Sequence, residues 1–96
     1  MKIAVIGAGP AGMTAAYKLS EAVADGRIEC LDVYESSEQV GGMAKSLRMW
    51  DQVVDLGPHR FFSHDNKVNQ LWLEVAGREY KMVNRQTRIY YKNHFF

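Results

Sequence analysis

The chain has 96 residues, of which 47% are hydrophobic and 24% are charged, and its formal net charge is +1. This composition is typical of a soluble chain of at most one domain, and the near-neutral charge gives no indication of nucleic-acid binding. The apolar stretch after Lys2 is only about four to five residues long, so neither a signal peptide nor a membrane-spanning segment is predicted. Because Cys30 is the one cysteine, an internal disulfide is excluded, which fits a reducing, cytoplasmic compartment.

The first part of the chain predicts a strand, a glycine-rich turn, a helix and a second strand. Residues 3–6 form a continuous apolar run with β-branched side chains, which is typical of a parallel strand covered on both faces. Pro10 suits a first helical turn, and Asp25-Gly26 supplies a helix end. Residues 28–34 then predict the second strand.

Three glycines of the turn have separate predicted roles. Gly7 permits a tight turn, and Gly9 lets the backbone approach a pyrophosphate without a Cβ in the way. Gly12 lets the helix pack close to the strand. The free N–H groups and the dipole of the helix start would then attract the phosphates of a dinucleotide.

Glu35 ends the second strand, 23 residues after Gly12. This is close to the separation expected for a carboxylate that accepts hydrogen bonds from an adenosine ribose. A carboxylate there repels a 2′-phosphate, and Ser36 and Ser37 offer no cation to bind one, so NAD or FAD is favoured over NADP. Strand, motif, helix, strand and acid occur in order, which predicts a dinucleotide site rather than a purely structural βαβ turn.

A doubly wound sheet needs several parallel strands, and this sequence supplies only two clear ones. An open strand edge and apolar sheet surface would be left exposed. We therefore expect residues 1–96 to be the N-terminal part of a longer protein, or a chain whose sheet edge is covered by a partner chain or by self-association.

A second glycine pair and a Gly-Pro corner are further candidate ligand loops. Gly41 and Gly42 offer backbone amides to a pyrophosphate or sugar, or form an ordinary turn. Residues 46–50 and 52–56 predict short strands around a turn that leads into residues 57–62. This corner would place a cation and flat rings beside a planar cofactor.

The alternative for the corner is a core in which Phe61 and Phe62 are buried and Arg60 is solvated.

The remainder is interpreted as scaffold. Ser63 to Asn66 contains capping residues ahead of a helical pattern that ends at Gly77, in which Trp72 is a core residue and His64 a solvated residue near the cap. Residues 88–96 predict a hairpin that turns at Lys92-Asn93.

No metal site or nucleophile is predicted. The histidines lack ligand spacing, and no catalytic residue can be assigned. A basic group on the hairpin is interpreted as a solvated strand face rather than an anion-binding patch; it comprises Arg85, Arg88, Lys92 and His94.

Four features together resemble the N-terminal FAD-binding segment of the flavin amine oxidase superfamily: the GAGPAG turn, Glu35, the Val40-Gly41-Gly42 loop and DLGPHRFF at residues 55–62. Within it, the chain is most similar to UDP-galactopyranose mutase-related and protoporphyrinogen oxidase-like proteins. The resemblance implies a Rossmann-like α/β fold with an incomplete βαβ unit, a short β-hairpin region and an additional helix. It also implies FAD rather than NAD as the cofactor.

The resemblance further implies which residues contact FAD. The turn glycines would meet the pyrophosphate, Glu35 the adenosine ribose, and the 41–43 loop the phosphates, while residues 57–60 would lie along the isoalloxazine ring. The full predicted set is Gly7, Gly9, Pro10, Ala11, Gly12, Glu35, Ser36, Gly41, Gly42, Met43, Gly57, Pro58, His59 and Arg60.

One departure from the family lies in the second glycine loop. Met43 stands where many members have Arg, and Lys45 is the cation nearby, so phosphate binding would rest more on backbone amides.

Two functions follow. The first is the FAD-binding part of a flavin-dependent oxidoreductase or of a nucleotide-sugar mutase, whose substrate domain and catalytic residues lie outside this chain. The second is a non-catalytic NAD-binding Rossmann module that a partner chain completes. In either case, the 96 residues alone are expected to turn over no substrate.

Overall fold

A computed structural model describes residues 1–57, 60–84 and 87–96 of the chain. These residues form two compact units, Met1–Arg60 and Phe61–Phe96. The first contains β1 (Lys2–Ile6), α1 (Pro10–Ala24), β2 (Cys30–Tyr34), a 3₁₀ turn (Gly42–Ala44), β3 (Ser46–Met49) and β4 (Gln52–Asp55). The second contains α2 (Asn66–Ala76), β5 (Tyr90–Tyr91) and β6 (His94–Phe95).

The predicted βαβ unit is present in the first unit. Strands β1 and β2 are parallel, in a register that places Lys2 opposite Cys30 and Ile6 opposite Tyr34. Helix α1 connects them, starts with proline in its first turn and has Asp25 as its C-cap, after which Gly26 has a φ of 79°. The parallel pairing places the carboxyl end of β2 beside the glycine-rich turn that follows β1.

β1 is covered on one face, so the prediction from its apolar run of cover on both faces is wrong for this structure, whereas the expected exposure of apolar sheet surface is confirmed. Ile3 and Val5 are half-buried, whereas Ala4 is exposed and the side chain of Ile6 is 82% exposed. Among the described residues, β1 pairs only with β2. The apolar run indicated a central strand with layers on both sides, and the described elements provide such cover on one face alone.

Gly12 lets α1 pack closely against the end of β1. A Cβ built on Gly12 would lie 1.9 Å from the carbonyl oxygen of Gly7 and 3.3 Å from Cγ1 of Val5. Contact with a backbone oxygen cannot be relieved by a rotamer change. The structure therefore gives a steric reason for glycine at this position.

Strands β3 and β4 form an antiparallel hairpin, as the sequence predicted. Trp50 and Asp51 connect them with positive φ values of 50° and 58°, the conformation of a two-residue type I′ turn. Trp50 is 83% exposed at the tip of this hairpin.

The helix predicted in the second unit is also present. The Asp65 carboxylate accepts a hydrogen bond from the N–H of Lys67 at 2.8 Å, and Gly77 ends the helix with a φ of 57°. Trp72 is half-buried and its ring stacks on that of Phe61, with centroids 4.1 Å apart. The alternative in which both corner phenylalanines are buried is wrong, because Phe62 is 78% exposed.

The C-terminal hairpin is confirmed as well. β5 and β6 pair antiparallel, and Lys92 and Asn93 have positive φ values of 48° and 63°. The phenol of Tyr90 donates a hydrogen bond to Oδ1 of Asn93 at 2.8 Å, which fixes the turn to its strand. Of the predicted basic group, Arg85 lies outside the described residues.

We predict that Gly12→Ala destabilises the chain even though alanine favours helices over glycine by about 1 kcal/mol. The steric conflict with the Gly7 carbonyl is expected to outweigh this preference and lower the free energy of unfolding by about 1 to 3 kcal/mol. Denaturant unfolding followed by circular dichroism measures the change. Ala15→Ser, at an exposed position of α1, is the control, and unchanged or increased stability of Gly12→Ala would contradict the steric argument.

Candidate dinucleotide site

The start of α1 presents backbone N–H donors that no side chain of the described residues caps. Gly9 is the N-cap residue, it supplies no side-chain hydrogen bond, and no acidic residue lies in the first turn. The N–H groups of Ala11 and Gly12 precede the first intrahelical bond, which Met13 donates to Gly9. Together with the helix dipole, these donors form a surface suited to an anionic group such as a pyrophosphate.

Ala8 joins the three parts of the candidate site. This residue is 2% exposed. Its N–H donates a hydrogen bond to Oε2 of Glu35 at 2.8 Å, and its carbonyl accepts one from the N–H of Gly41, also at 2.8 Å. A single buried residue thus holds the end of β2 and the second glycine loop against the glycine-rich turn that follows β1.

The Glu35 carboxylate is held by backbone and side-chain donors. Besides the Ala8 contact, its Oε1 accepts bonds from the N–H and from the hydroxyl of Ser37, each at 2.9 Å. These donors, that of Ala8 first, lower the pKa of Glu35 from an ordinary 4.5 to about 2. The group is therefore a fixed, ionised acceptor at neutral pH.

The second glycine loop packs against the first. Gly41 and Gly42 have φ values of 112° and 56°, a region that favours glycine. A Cβ on Gly42 would lie 3.0 Å from Cα of Gly9, and a Cβ on Gly9 would lie 3.7 Å from Cα of Gly42. The sequence left this loop open between a simple turn and a ligand loop, and the structure places it beside the pyrophosphate candidates.

Lys45 is half-buried and packs beneath this loop, since a Cβ on Gly41 would lie 3.0 Å from its Cα. Met43, which replaces the Arg expected in many members of the resembled family, is 85% exposed. Backbone N–H groups and Lys45 are therefore the donors that this loop offers to a phosphate.

The predicted site residues divide into two groups. The structure brings together Gly7, Gly9, Pro10, Ala11, Gly12, Glu35, Gly41 and Gly42, with Ser36 and Met43 in the same loops. Gly57 has open space at its Cβ position and Arg60 is exposed, while Pro58 and His59 lie outside the described residues. The flavin-ring part of the site stays a prediction.

Sequence reasoning missed Ala8 and Ser37. A serine two residues after an acidic residue can donate hydrogen bonds from its N–H and its hydroxyl to that carboxylate. This short-range signal was available in the sequence. The role of Ala8 depends on a contact with Glu35, 27 residues away, which no local pattern reveals.

The arrangement fits a dinucleotide. Two glycine-rich segments approach each other closely, backbone N–H donors lie at the helix start, and an anchored carboxylate follows the adjacent strand. In the described part of the chain, no three His, Cys, Asp or Glu residues are grouped to hold a metal ion. The described helices include none with the length and apolar character needed to span a membrane.

Comparisons with known proteins agree with this geometry. Residues 5–75 match the family model described as an NAD(P)-binding Rossmann-like domain. L-amino-acid oxidase from Crotalus adamanteus and L-amino-acid oxidase apoxin-1 from Crotalus atrox are each 39% identical over 94 residues. Those alignments cover 96% of this chain and 17% of each relative. No solved structure gave a significant match.

The anchored carboxylate predicts a pH dependence of stability. Because the pKa of Glu35 in the folded chain lies below its ordinary value of 4.5, the ionised group stabilises the fold above pH 4.5, and this contribution falls as the pH decreases toward about 2. The stability advantage of the wild-type chain over Glu35→Gln should therefore shrink across that interval.

Denaturant unfolding at a series of pH values, with the Glu35 carboxyl carbon followed by NMR, tests this expectation. Glu38→Gln is the control for loss of one carboxylate, since Glu38 is exposed and near in sequence. A pH-independent difference between the wild-type chain and Glu35→Gln would contradict the proposed anchoring.

Proposed function

The chain belongs to the family of NAD(P)-binding Rossmann-like domains, and from this premise we propose that it binds the ADP part of FAD at the N-terminus of a longer flavin-dependent oxidoreductase. The observation that carries the proposal is the joining of two glycine-rich segments and Glu35 through Ala8. The chain spans 17% of the length of the relatives it matches, so the activity of a whole protein is part of the proposal.

Two features in turn exclude NADP and favour FAD over NAD. The ionised Glu35 occupies the position where NADP would require a cation for its 2′-phosphate, which leaves FAD and NAD. The relatives are named L-amino-acid oxidases, and an oxidase activity fits the flavin amine oxidase resemblance. The oxidase names also favour oxidation of an amine over the nucleotide-sugar isomerisation that a mutase relationship would imply.

In this proposal, the residues of the chain bind and orient the cofactor. The N–H groups at the start of α1 and in the second glycine loop hold the pyrophosphate, and Glu35 accepts hydrogen bonds from the adenosine ribose. FAD, when bound, supplies the redox chemistry. The residues that bind the substrate lie outside these 96 residues, and a cytoplasmic location remains a prediction.

The second candidate is an NAD-binding module without catalysis that a partner chain completes. Two observations favour it: the matched family is described as NAD(P)-binding, and Ile6 of β1 is exposed on an uncovered face of the sheet. Both candidates share the ADP half-site, and they differ in what lies beyond the pyrophosphate.

Ligand-dependent thermal unfolding distinguishes the two candidates. We expect FAD to raise the melting temperature of the chain more than ADP or NAD at equal concentration, because flavin contacts add to those of the ADP half. A free ligand concentration of 100 times the Kd raises the free energy of unfolding by about 2.7 kcal/mol. Equal shifts of the melting temperature with all three ligands would mean that only the ADP half of the ligand is bound. A larger shift with NAD would support the second candidate.

Gly9→Ala separates binding from folding. The added Cβ would make only ordinary contact, 3.7 Å from Cα of Gly42, and the φ of Gly9 is −77°, so the fold is expected to persist. The methyl group enters the gap between the two glycine segments, where the pyrophosphate is proposed to lie. Affinity for FAD and ADP should fall by about tenfold or more, equivalent to about 1.4 kcal/mol.

Isothermal titration calorimetry with ADP measures this loss, and denaturant unfolding confirms that the variant is folded. Ala15→Ser, on the exposed face of the same helix, should bind as the wild-type chain does. Undiminished ADP binding by folded Gly9→Ala would place the pyrophosphate elsewhere.

A further inference from the structure

The hydroxyl of Ser37 has two acceptors within hydrogen-bond distance. Its oxygen lies 2.9 Å from Oε1 of Glu35 and 2.8 Å from the carbonyl oxygen of Gln39. A serine hydroxyl carries one proton and can donate a full hydrogen bond to only one of them at a time. The side chain can therefore exchange acceptors by rotating its proton, without moving its heavy atoms.

This exchange changes how many hydrogen bonds the Glu35 carboxylate can accept from a ligand. An ionised carboxylate has about four acceptor positions, two on each oxygen. The N–H groups of Ala8 and Ser37 occupy one position on each oxygen, and the Ser37 hydroxyl occupies a second one on Oε1. When the hydroxyl donates to Gln39 instead, the remaining N–H near the carboxylate is that of Ser36, the smallest of the contributions that lower the pKa of Glu35, so one position on each oxygen is open to a ligand.

Two open positions, one on each oxygen, match a vicinal diol. The 2′- and 3′-hydroxyls of a ribose can each donate one hydrogen bond, and a carboxylate accepts such a pair in a bidentate manner. While the Ser37 hydroxyl donates to Oε1, only one of the two ribose hydroxyls finds an acceptor position on the carboxylate. The Ala8 and Ser37 N–H groups keep the carboxylate in place in both arrangements.

We propose that Ser37 is a positioning residue whose hydroxyl releases Oε1 of Glu35 and turns to the carbonyl of Gln39 when a nucleotide ribose binds through its diol. The inference rests on the proposed nucleotide-binding function and adds a residue that controls how the ribose is recognised. Because the carbonyl of Gln39 lies within reach, the displaced hydroxyl keeps a hydrogen bond after the exchange. Recognition of the diol then leaves no polar group of this cluster unpaired.

The exchange predicts the effect of removing the hydroxyl. In the wild-type chain, a ribose hydroxyl replaces the bond from Ser37 to the carboxylate, and Ser37 receives a weaker one to a neutral carbonyl. In Ser37→Ala, the same ribose hydroxyl enters a position that is already open. The preference for ADP over 2′,3′-dideoxy-ADP should therefore rise by about fivefold in Ser37→Ala.

Titration calorimetry of the 96-residue chain with both nucleotides measures this ratio. Ser37→Thr keeps the hydroxyl and should retain the wild-type ratio. Ser20→Ala is the matched control, because its hydroxyl bonds to the carbonyl of Tyr17 on the exposed side of α1. Ser37→Gly removes the same hydroxyl and provides a second measurement if Ser37→Ala is poorly folded.

Each result has a distinct meaning. A higher ratio in the variants that lack the hydroxyl supports the exchange. An unchanged or lower ratio overturns it, and a lower one would mean that the hydroxyl only orients Glu35. Equal affinity of the wild-type chain for the two nucleotides overturns the inference while nucleotide binding stands, whereas failure to bind ADP at all overturns the proposed function itself.

Discussion

The two hydrogen bonds of Ala8 are the interaction on which the candidate site depends. Its N–H reaches the carboxylate at the end of β2, and its carbonyl receives the N–H of Gly41. Both bonds are formed by the backbone of a buried residue, where a lost partner leaves a polar group without water to replace it. The turn, the acid and the second glycine loop are consequently positioned as one unit.

This unit separates positive and negative potential over a short distance. The start of α1 presents N–H donors and the positive end of the helix dipole, while Glu35 presents an ionised carboxylate beside it. Without the donors from Ala8 and Ser37, the carboxylate would be free to turn toward the helix start and compete with a phosphate. The hydrogen bonds that lower its pKa also hold the carboxylate in place, beside the helix start and not in front of it.

Residues that act through their own backbone geometry were predictable from the sequence. A local conformation is indicated by the glycines at 7, 9 and 12, by the proline in the first turn of α1 and by Asp65 at the cap of α2. The structure contains the corresponding turn and helices. Burial was less predictable, since it depends on neighbours far along the chain: β1 is covered on one face, and Phe62 is exposed. The contact between Gly9 and Gly42 follows from the pairing of β1 with β2, which no short pattern specifies.

The distribution of burial leaves this chain with a small hydrophobic core. Among the described residues, the buried apolar side chains are Ala8, Ala22 and Ile28, and two of these three are alanines, which remove little apolar surface from water. The site is instead held together by hydrogen bonds. Each of them contributes only a modest net free energy to folding, because water can replace the partner in the unfolded chain. A ligand that bridges the two glycine segments and Glu35 adds contacts to the part of the fold that its own hydrophobic core supports least. Nucleotide binding and folding of this chain are therefore expected to be strongly linked.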